Sequence, residues 1–142
     1  MSKPTDIEEA KAKLEGHTLA LCRDGVVITD DKRGVAPMVD HLRAGRSFEG
    51  YSAADRVVGK AAAMLFIKAG VRTVYAQVLS KSAEALFKAH AVDYSFDVLT
   101  ERIRNRDNTG ICPMEETVAE CDDIELGFKL ISDKLDALRN HA

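Results

Sequence analysis

Residues 71–98, VRTVYAQVLSKSAEALFKAHAVDYSFDV, decide the fold. Val71–Leu79 is β-branched, aromatic or apolar at its centre, which predicts a strand in the interior of a sheet. Ser80 is the predicted N-cap of a helix over Ser82–Ala91. Val92–Val98 alternates between apolar and polar residues, which predicts a strand with one polar face. A strand, a helix and a strand within about thirty residues form a right-handed parallel crossover.

The residues before this unit predict a hairpin and a buried helix. Thr18–Arg23 and Val26–Thr29 flank an Asp-Gly pair, which is a signal for a two-residue hairpin turn. Ser52 is the predicted cap of a helix that ends at Gly70, with Asp55 as an acid in its first turn. Because this helix is apolar on nearly every side, we expect it to be buried against the sheet.

Four further helices complete the prediction. Thr5–Glu15 is predicted to be a polar surface helix, Ala36–Ala44 a short helix, Pro113–Ala119 another short helix, and Ile124–Asn140 a last amphipathic helix. The predicted fold class is therefore a three-layer α/β/α protein whose mixed sheet has about four strands. We expect one domain over residues 1–142, with the surface helix in 1–16 and the core and C-terminal helices in 17–142.

Composition and charge exclude several classes of protein. The 142 residues are 46% hydrophobic and 30% charged, and the net charge of -3 argues against non-specific binding to nucleic acid or to an anionic membrane. The longest apolar run, Ala61–Ile67, is too short to span a bilayer, and the first residues lack the apolar segment of a signal peptide, so we expect a cytoplasmic protein. The cysteines, Cys22, Cys112 and Cys121, are widely spaced. We therefore expect reduced thiols, with Cys22 buried, and neither a metal site nor a cofactor.

The candidate functional site is the stretch from Asn105 to Glu116, NRDNTGICPMEE. It is a polar loop, longer than most connections, and it ends where Pro113 begins a helix. Cys112 precedes that helix, whose free N–H groups and positive end favour the thiolate, the more nucleophilic form of cysteine. The same N–H groups are suited to a phosphate or a carboxylate. We therefore predict Cys112 as a catalytic thiol and ligand contacts from Asn105, Arg106, Asp107, Thr109 and Gly110.

Each candidate residue also has a structural interpretation. Cys112 fits a loop residue packed under the last helices, and Arg106 with Asp107 fits an ion pair that orders the loop. Asp55 is either a second catalytic residue or an ordinary acid at a helix start. Lys60 is either a ligand-binding residue, a buried partner of an acid, or the solvated end of its helix.

Two runs of sequence resemble a known family. Asp55–Ala63, DRVVGKAAA, and the run from Asn105-Arg106-Asp107 to GICPME at 110–115 resemble the uncharacterised prokaryotic domain-of-unknown-function family 1893. The resemblance extends over Gly16–Leu138 and is most specific in the Cys-Pro-Met-Glu run. That family is similar in fold to the cytidine deaminases, so the resemblance implies an α/β/α fold with a mixed sheet.

The similarity to deaminases also indicates where a zinc site would lie. A zinc deaminase has His-x-Glu at the start of the buried helix and Pro-Cys-x-x-Cys at the start of the next. Here these places are Ala53-Ala54-Asp55 and Leu79-Ser80-Lys81-Ser82, which do not supply three zinc ligands. The two helix starts are still expected to adjoin at the strand ends, where Asp55 and Ser80 would line a crevice that Cys112 approaches from the loop.

These patterns favour a small-ligand protein without zinc that binds a nucleotide or a similar anionic metabolite near Gly110–Cys112. The sequence leaves open whether the protein is an enzyme. The alternative is a non-catalytic binding or regulatory module, as a homodimer whose last helix covers another subunit. Nucleic-acid binding has only the similarity to deaminases in its favour, and the acidic net charge argues against it.

Overall fold

The computed structural model describes residues 5–104, 110 and 112–140. Within these ranges the chain forms six helices and five strands. In chain order they are α1 (Asp6–Lys13), β1 (Leu19–Arg23), β2 (Val26–Asp30), α2 (Ala36–Arg43), β3 (Ser52–Val58), α3 (Lys60–Ala69), β4 (Thr73–Ser80), α4 (Lys81–Ala89), β5 (Asp93–Thr100), α5 (Pro113–Val118) and α6 (Ile124–Asn140). The strands form one open mixed sheet in the order β2-β1-β3-β4-β5. The predicted class, an α/β protein with a mixed sheet, is confirmed.

The parallel half of the sheet consists of β3, β4 and β5. Val74 of β4 lies opposite Ala53 of β3 and Tyr94 of β5. Since α3 and α4 connect these parallel strands, the crossover predicted from residues 71–98 is confirmed. Ser80 caps α4 as predicted, because its hydroxyl accepts a hydrogen bond from the Ala83 N–H at 3.1 Å.

The antiparallel half is the predicted hairpin. β1 pairs with β2 on one side and with β3 on the other. Asp24 and Gly25 have φ values of 48° and 84°. Positive φ at both central residues is the backbone of a type I′ hairpin turn, which accounts for the Asp-Gly signal. Cys22 is fully buried, as expected.

The prediction of a helix starting at Ser52 is wrong. Ser52–Val58 is β3, the central strand of the sheet, and the helix α3 begins only at Lys60. Alanine favours helices, but burial between two neighbouring strands overrides that preference. Ala53 packs in the core on one face of the sheet, and Ala54 packs in the core on the other face. Both faces of β3 are therefore buried through small side chains. The sheet therefore has one more strand than predicted, and Asp55 lies inside a strand rather than at a helix start.

Helices cover both faces of the sheet. On one face, Ala10 of α1 and its C-cap residue Leu14 pack against Ala20, Ala54 and Tyr75. The N-terminal helix thus covers this face of the sheet and forms one layer of the fold. The core on the other face includes large buried residues from α3, α4 and α6, namely Met64, Phe66, Phe87 and Ile131. No helix in the part of the chain that the structure describes is long and apolar enough to cross a bilayer.

Candidate functional site

Three strand ends and two helix starts meet at one edge of the sheet. β3, β4 and β5 are parallel and end at Val58, Ser80 and Thr100, while α3 and α4 begin at Lys60 and Lys81. Open α/β sheets bind ligands outside the carboxyl ends of their strands. At this edge lie two cavities whose walls share one side chain, that of Glu115. We refer to the two cavities together as the cleft.

Glu115 connects α5 to the start of α3. Its Oε1 accepts a hydrogen bond from the Lys60 N–H at 2.8 Å, and its Oε2 accepts one from the Ala61 N–H at 2.9 Å. Gly59 is the N-cap of α3 and has no side chain to satisfy these N–H groups. Gly59 also leaves room for the carboxylate, because a Cβ at this position would lie 2.2 Å from Oε1 of Glu115. A carboxylate supplied from a distant helix therefore caps α3 and interacts with the positive end of its dipole.

The Lys60 side chain binds residues at the C-terminal end of α5. Its Nζ donates a hydrogen bond to the Ala119 carbonyl at 3.2 Å and pairs with Oδ1 of Asp122 at 3.0 Å. Only 12% of the Lys60 side chain is exposed. Among the interpretations of Lys60, the structure supports a largely buried partner of an acid rather than the solvated end of a helix.

The Arg102 cavity is the more polar of the two. Its volume is about 360 Å³, and its walls include Lys60, Ser82, Glu101, Arg102 and Glu115. Lys60 is paired with an acid, and Glu101 is paired with Lys81 at the start of α4. Within the described residues, the Arg102 guanidinium has neither an ion-pair nor a hydrogen-bond partner. An unpaired guanidinium can bind a phosphate or a carboxylate through two parallel hydrogen bonds.

The Cys112 cavity lies on the other side of Glu115. Its volume is about 260 Å³, and its walls are largely apolar. The apolar and glycine residues are Gly34, Val35, Val57, Gly59, Ala61, Ala62, Ile103 and Met114. The remaining wall residues are Arg104, Cys112 and Glu115. Cys112 is the N-cap of α5, and its backbone N–H donates to the Ile103 carbonyl at 3.1 Å. Its thiol makes no capping hydrogen bond to α5, and the residue is partly exposed. Cys112 is thus a partly exposed residue in the wall of this cavity.

Asp55 and Ser80 lie outside both cavities. Asp55 is in β3, between Leu19 of β1 and Ala76 of β4, and its Oδ1 accepts a hydrogen bond from the Arg56 N–H at 2.8 Å. Burial raises the pKa of Asp55 to about 7, and the hydrogen bond and charge of Arg56 offset only part of this increase. A carboxyl group with that pKa exchanges protons near neutral pH. Ser80 is fully buried as the cap of α4, and its neighbour Ser82 lines the Arg102 cavity instead.

Most of the predicted loop contacts fall outside the described residues. Asn105, Arg106, Asp107 and Thr109 belong to this group, so their predicted roles stay predictions. Gly110 is described and is partly buried. Two predicted residues that the structure describes line the cleft. Lys60 lines the Arg102 cavity, and Cys112 lines the Cys112 cavity.

Sequence reasoning missed the roles of Glu115 and Arg102. Glu115 is a first-turn acid of α5, as expected, but its carboxylate acts on a different helix. The signal that points to such a contact is Gly59, a cap position without a side chain, combined with an acid elsewhere that has no local donor. Arg102 follows directly after β5, and residues that follow parallel strands are the ones that reach the ligand-binding edge.

The described residues do not fit a deaminase zinc site. The buried helix starts at Gly59-Lys60-Ala61-Ala62 rather than at Ala53-Ala54-Asp55, and this start contains no metal ligand. The described ranges contain no group of three or more His, Cys, Asp and Glu side chains that could hold a metal ion. Zinc in a catalytic site needs three protein ligands, and this set of donors does not provide them.

The sheet, the helices on both of its faces and the cleft at its carboxyl edge define a small α/β protein with a five-stranded mixed sheet. Residues 9–135 match the family described as TM1506, domain of unknown function (DUF1893), and the chain belongs to that family. The chain is also similar to the crystal structure of a DUF1893 family protein, TM1506, from Thermotoga maritima, with 24% sequence identity and a TM-score of 0.83 over 94% of this chain and 92% of that chain. At this identity the similarity establishes the fold alone. No curated protein matches the chain.

The family resemblance seen in the sequence is thereby confirmed. Neither match bears on the further similarity to cytidine deaminases, nor on nucleotide binding or a reactive cysteine.

Proposed function

We propose that the protein binds a nucleotide or a related anionic small molecule in the cleft at the carboxyl edge of the sheet. The observation that carries this proposal is that the Arg102 and Cys112 cavities share the Glu115 side chain as a wall. One cavity offers the Arg102 guanidinium, which has no ion-pair or hydrogen-bond partner among the described residues, and the other offers largely apolar walls. A molecule with an acidic group at one end and a flat apolar body at the other matches this pair of environments.

The charges around the cleft support Arg102 as the residue that binds the acidic group. The ammonium group of Lys60 is paired with Asp122, and that of Lys81 is paired with Glu101. The N–H groups at the start of α3 already bind Glu115. Among the described residues that line the Arg102 cavity, Arg102 is thus the cation that is left for a ligand. The contacts predicted from Asn105, Arg106, Asp107, Thr109 and Gly110 belong to the segment between Arg104 and Cys112 and are part of the same proposal.

Cys112 is the proposed reactive group of the cleft. Cys112 is a partly exposed residue that lines a cavity, whereas Cys22 and Cys121 are buried. A thiol in such a cavity can act as a nucleophile towards a bound ligand or as a redox group. Asp55 is the second proposed catalytic residue because its carboxyl group exchanges protons near neutral pH. Since Asp55 lines neither cavity, its role requires a rearrangement or a connecting group.

Calorimetric titration of the protein with a set of ribonucleoside 5′-monophosphates tests the binding proposal. Loss of one bidentate guanidinium contact costs about 1.5–3 kcal/mol, so Arg102→Ala should weaken binding by about tenfold or more. Lys129→Ala is the matched control, because Lys129 is an exposed cation of α6 that pairs with Asp133. The absence of binding, or equal weakening by both substitutions, would contradict the proposal.

Replacement of Cys112 by serine tests the thiol. Cys112→Ser should leave the protein folded and abolish any covalent adduct or thiol-dependent turnover with a ligand that binds the cleft. Circular dichroism reports the fold, and mass spectrometry reports the adduct. Activity that persists unchanged in the serine variant would rule out the thiol role.

The alternative function is a non-catalytic binding or regulatory module that forms a homodimer. Two described surfaces favour it. β5 is an eight-residue edge strand, with Phe96 and Val98 exposed, and α6 exposes Leu126 and Leu138. Unpaired edge strands are templates for pairing with another chain. Sedimentation analysis and thermal melting together test this alternative. It predicts a dimer in solution whose melting temperature does not change when a nucleotide is added.

A further inference from the structure

Glu115 lies between the two cavities and on the same short helix as Cys112. α5 has six residues, and isolated helices of this length are not stable in water. Its position therefore depends on contacts with the rest of the protein. Met114 and Val118 are buried in the core, and Lys60 holds the last turn through Ala119 and Asp122.

The first turn of α5 is held in a different way. In a usual capping box, an acid three residues after the N-cap accepts a hydrogen bond from the N-cap backbone N–H. Here the Cys112 N–H donates to the Ile103 carbonyl, and Glu115 instead accepts from the N–H groups of Lys60 and Ala61. The acid that could have capped its own helix thus joins the first turn of α5 to the first turn of α3.

We infer that Glu115 is the positioning residue for the Cys112 thiol. The two hydrogen bonds to α3 fix the turn that carries Cys112, and Gly59 allows the close approach that these bonds require. Cys112 is thereby held in the wall of its cavity, which also includes Gly59 and Ala61 at the start of α3. The functional meaning of this position rests on the proposed role of Cys112, but the position itself can be measured without any ligand.

The three cysteines make alkylation by iodoacetamide a local measurement. Cys22 is fully buried in β1, Cys121 is buried beyond the last turn of α5, and Cys112 is partly exposed at its start. Glu115→Ala should release the start of α5 and accelerate alkylation of Cys112 about fivefold or more, because local opening exposes the thiol without global unfolding. Cys22 should stay unmodified over the same time. Peptide mass spectrometry assigns each modification.

Two control variants and a chemical rescue separate positioning from a general loss of stability. Glu116→Ala changes an exposed acid in the same turn and should leave the alkylation rate of Cys112 unchanged. Lys60→Ala releases the opposite end of α5 and should expose Cys121 more than Cys112. Sodium formate, compared with sodium chloride at the same concentration, should slow Cys112 alkylation in the Glu115→Ala variant, because formate can occupy the vacated N–H groups.

The results separate this inference from the proposed function. An unchanged alkylation rate of Cys112 in Glu115→Ala, or a parallel increase for all three cysteines, would overturn the positioning role. A selective increase that formate reverses would support it. Nucleotide titration decides the proposed function independently, because the alkylation requires no nucleotide.

Discussion

The contact between Gly59 and Glu115 gives a quantitative prediction about the cleft. Gly59 has φ −100° and ψ −172°, an extended backbone that alanine adopts without strain. A Cβ added there would meet Glu115 first, because its three nearest heavy atoms are Oε1 at 2.2 Å, Cδ at 2.5 Å and Oε2 at 2.8 Å. Gly59→Ala must therefore displace the carboxylate from the start of α3. Backbone strain does not contribute to the effect.

The expected magnitude follows from what the displacement breaks. Loss of a helix cap costs about 1 kcal/mol on average, and two hydrogen bonds to a charged acceptor together with the helix dipole bring the estimate to about 2 kcal/mol. A Gly-to-Ala change at a compatible backbone returns about 0.5 kcal/mol through the unfolded state. Gly59→Ala should thus lower the free energy of unfolding by about 1.5 kcal/mol, and Glu115→Ala by about 2 kcal/mol.

A double-mutant cycle measured by urea denaturation tests this reasoning. In the Glu115→Ala background the clash is gone, so Gly59→Ala should change the free energy of unfolding by no more than about 0.5 kcal/mol in either direction. The coupling energy between the two positions should then be about 2 kcal/mol. Additive losses in the double variant would refute the contact as the reason for glycine at position 59.

Three further predictions concern titrating groups and thiols. Burial, and then the charge of Arg46, lower the pKa of His41, so the stability that neutral His41 provides is present above its unfolded pKa of about 6.5 and lost as the pH falls. When the pH is lowered from about 7.5 to about 5.5, the free energy of unfolding should therefore decrease less in His41→Gln than in the wild type. Equal decreases in the two proteins would exclude His41 as a source of this pH dependence. Since burial raises the pKa of Asp55 to about 7, stability is lost as the pH rises from the usual carboxyl range to about 7. Asp55→Asn should melt above the wild type at about pH 8 and lose this advantage at about pH 4, whereas a gap independent of pH would contradict the assignment. In the native wild type, iodoacetamide should modify Cys112 before the buried Cys22, whose pKa burial raises to about 11; mass spectrometry showing equal rates would contradict the described exposure.

The sequence predicts elements whose signals are local. The Asp-Gly turn requires positive φ at both residues, and Ser80 provides the hydroxyl that caps α4, so both were found from a few neighbouring residues. The crossover from Val71 to Val98 also follows from local patterns, because each strand and the helix between them carries its own periodicity.

The sequence fails where a distant neighbour decides the structure. Ser52–Val58 contains two alanines and carries a helix signal, but pairing with β1 and β4 makes it the central strand. The same error shifts the predicted start of the buried helix and places Asp55 in its first turn. The pattern of residues cannot show pairing partners, and Gly59 is a local sign that the run is interrupted.

The candidate site shows the same difference between features with a local sequence signal and features that depend on distant residues. Cys112 at the start of a helix is a local signal, and the structure places its thiol in a cavity. The contact of Glu115 with the N–H groups of Lys60 and Ala61 joins residues more than fifty positions apart in the chain, and no local pattern encodes it. The cavity at Arg102 depends in the same way on three strands that end at one edge.

Native mass spectrometry of the freshly purified protein tests the central claim, that the cleft binds an anionic small molecule, most directly. The wild type is compared with Arg102→Ala and with the control Lys129→Ala, before and after addition of ribonucleoside 5′-monophosphates. A non-covalent complex of one small phosphate-bearing molecule per chain, present in the wild type and in Lys129→Ala and lost in Arg102→Ala, is the predicted result. The claim would be contradicted if the wild type carries no such molecule and binds none when nucleotide is added at about 1 mM. A dissociation constant of about 1 mM is the weakest that we expect of a specific site.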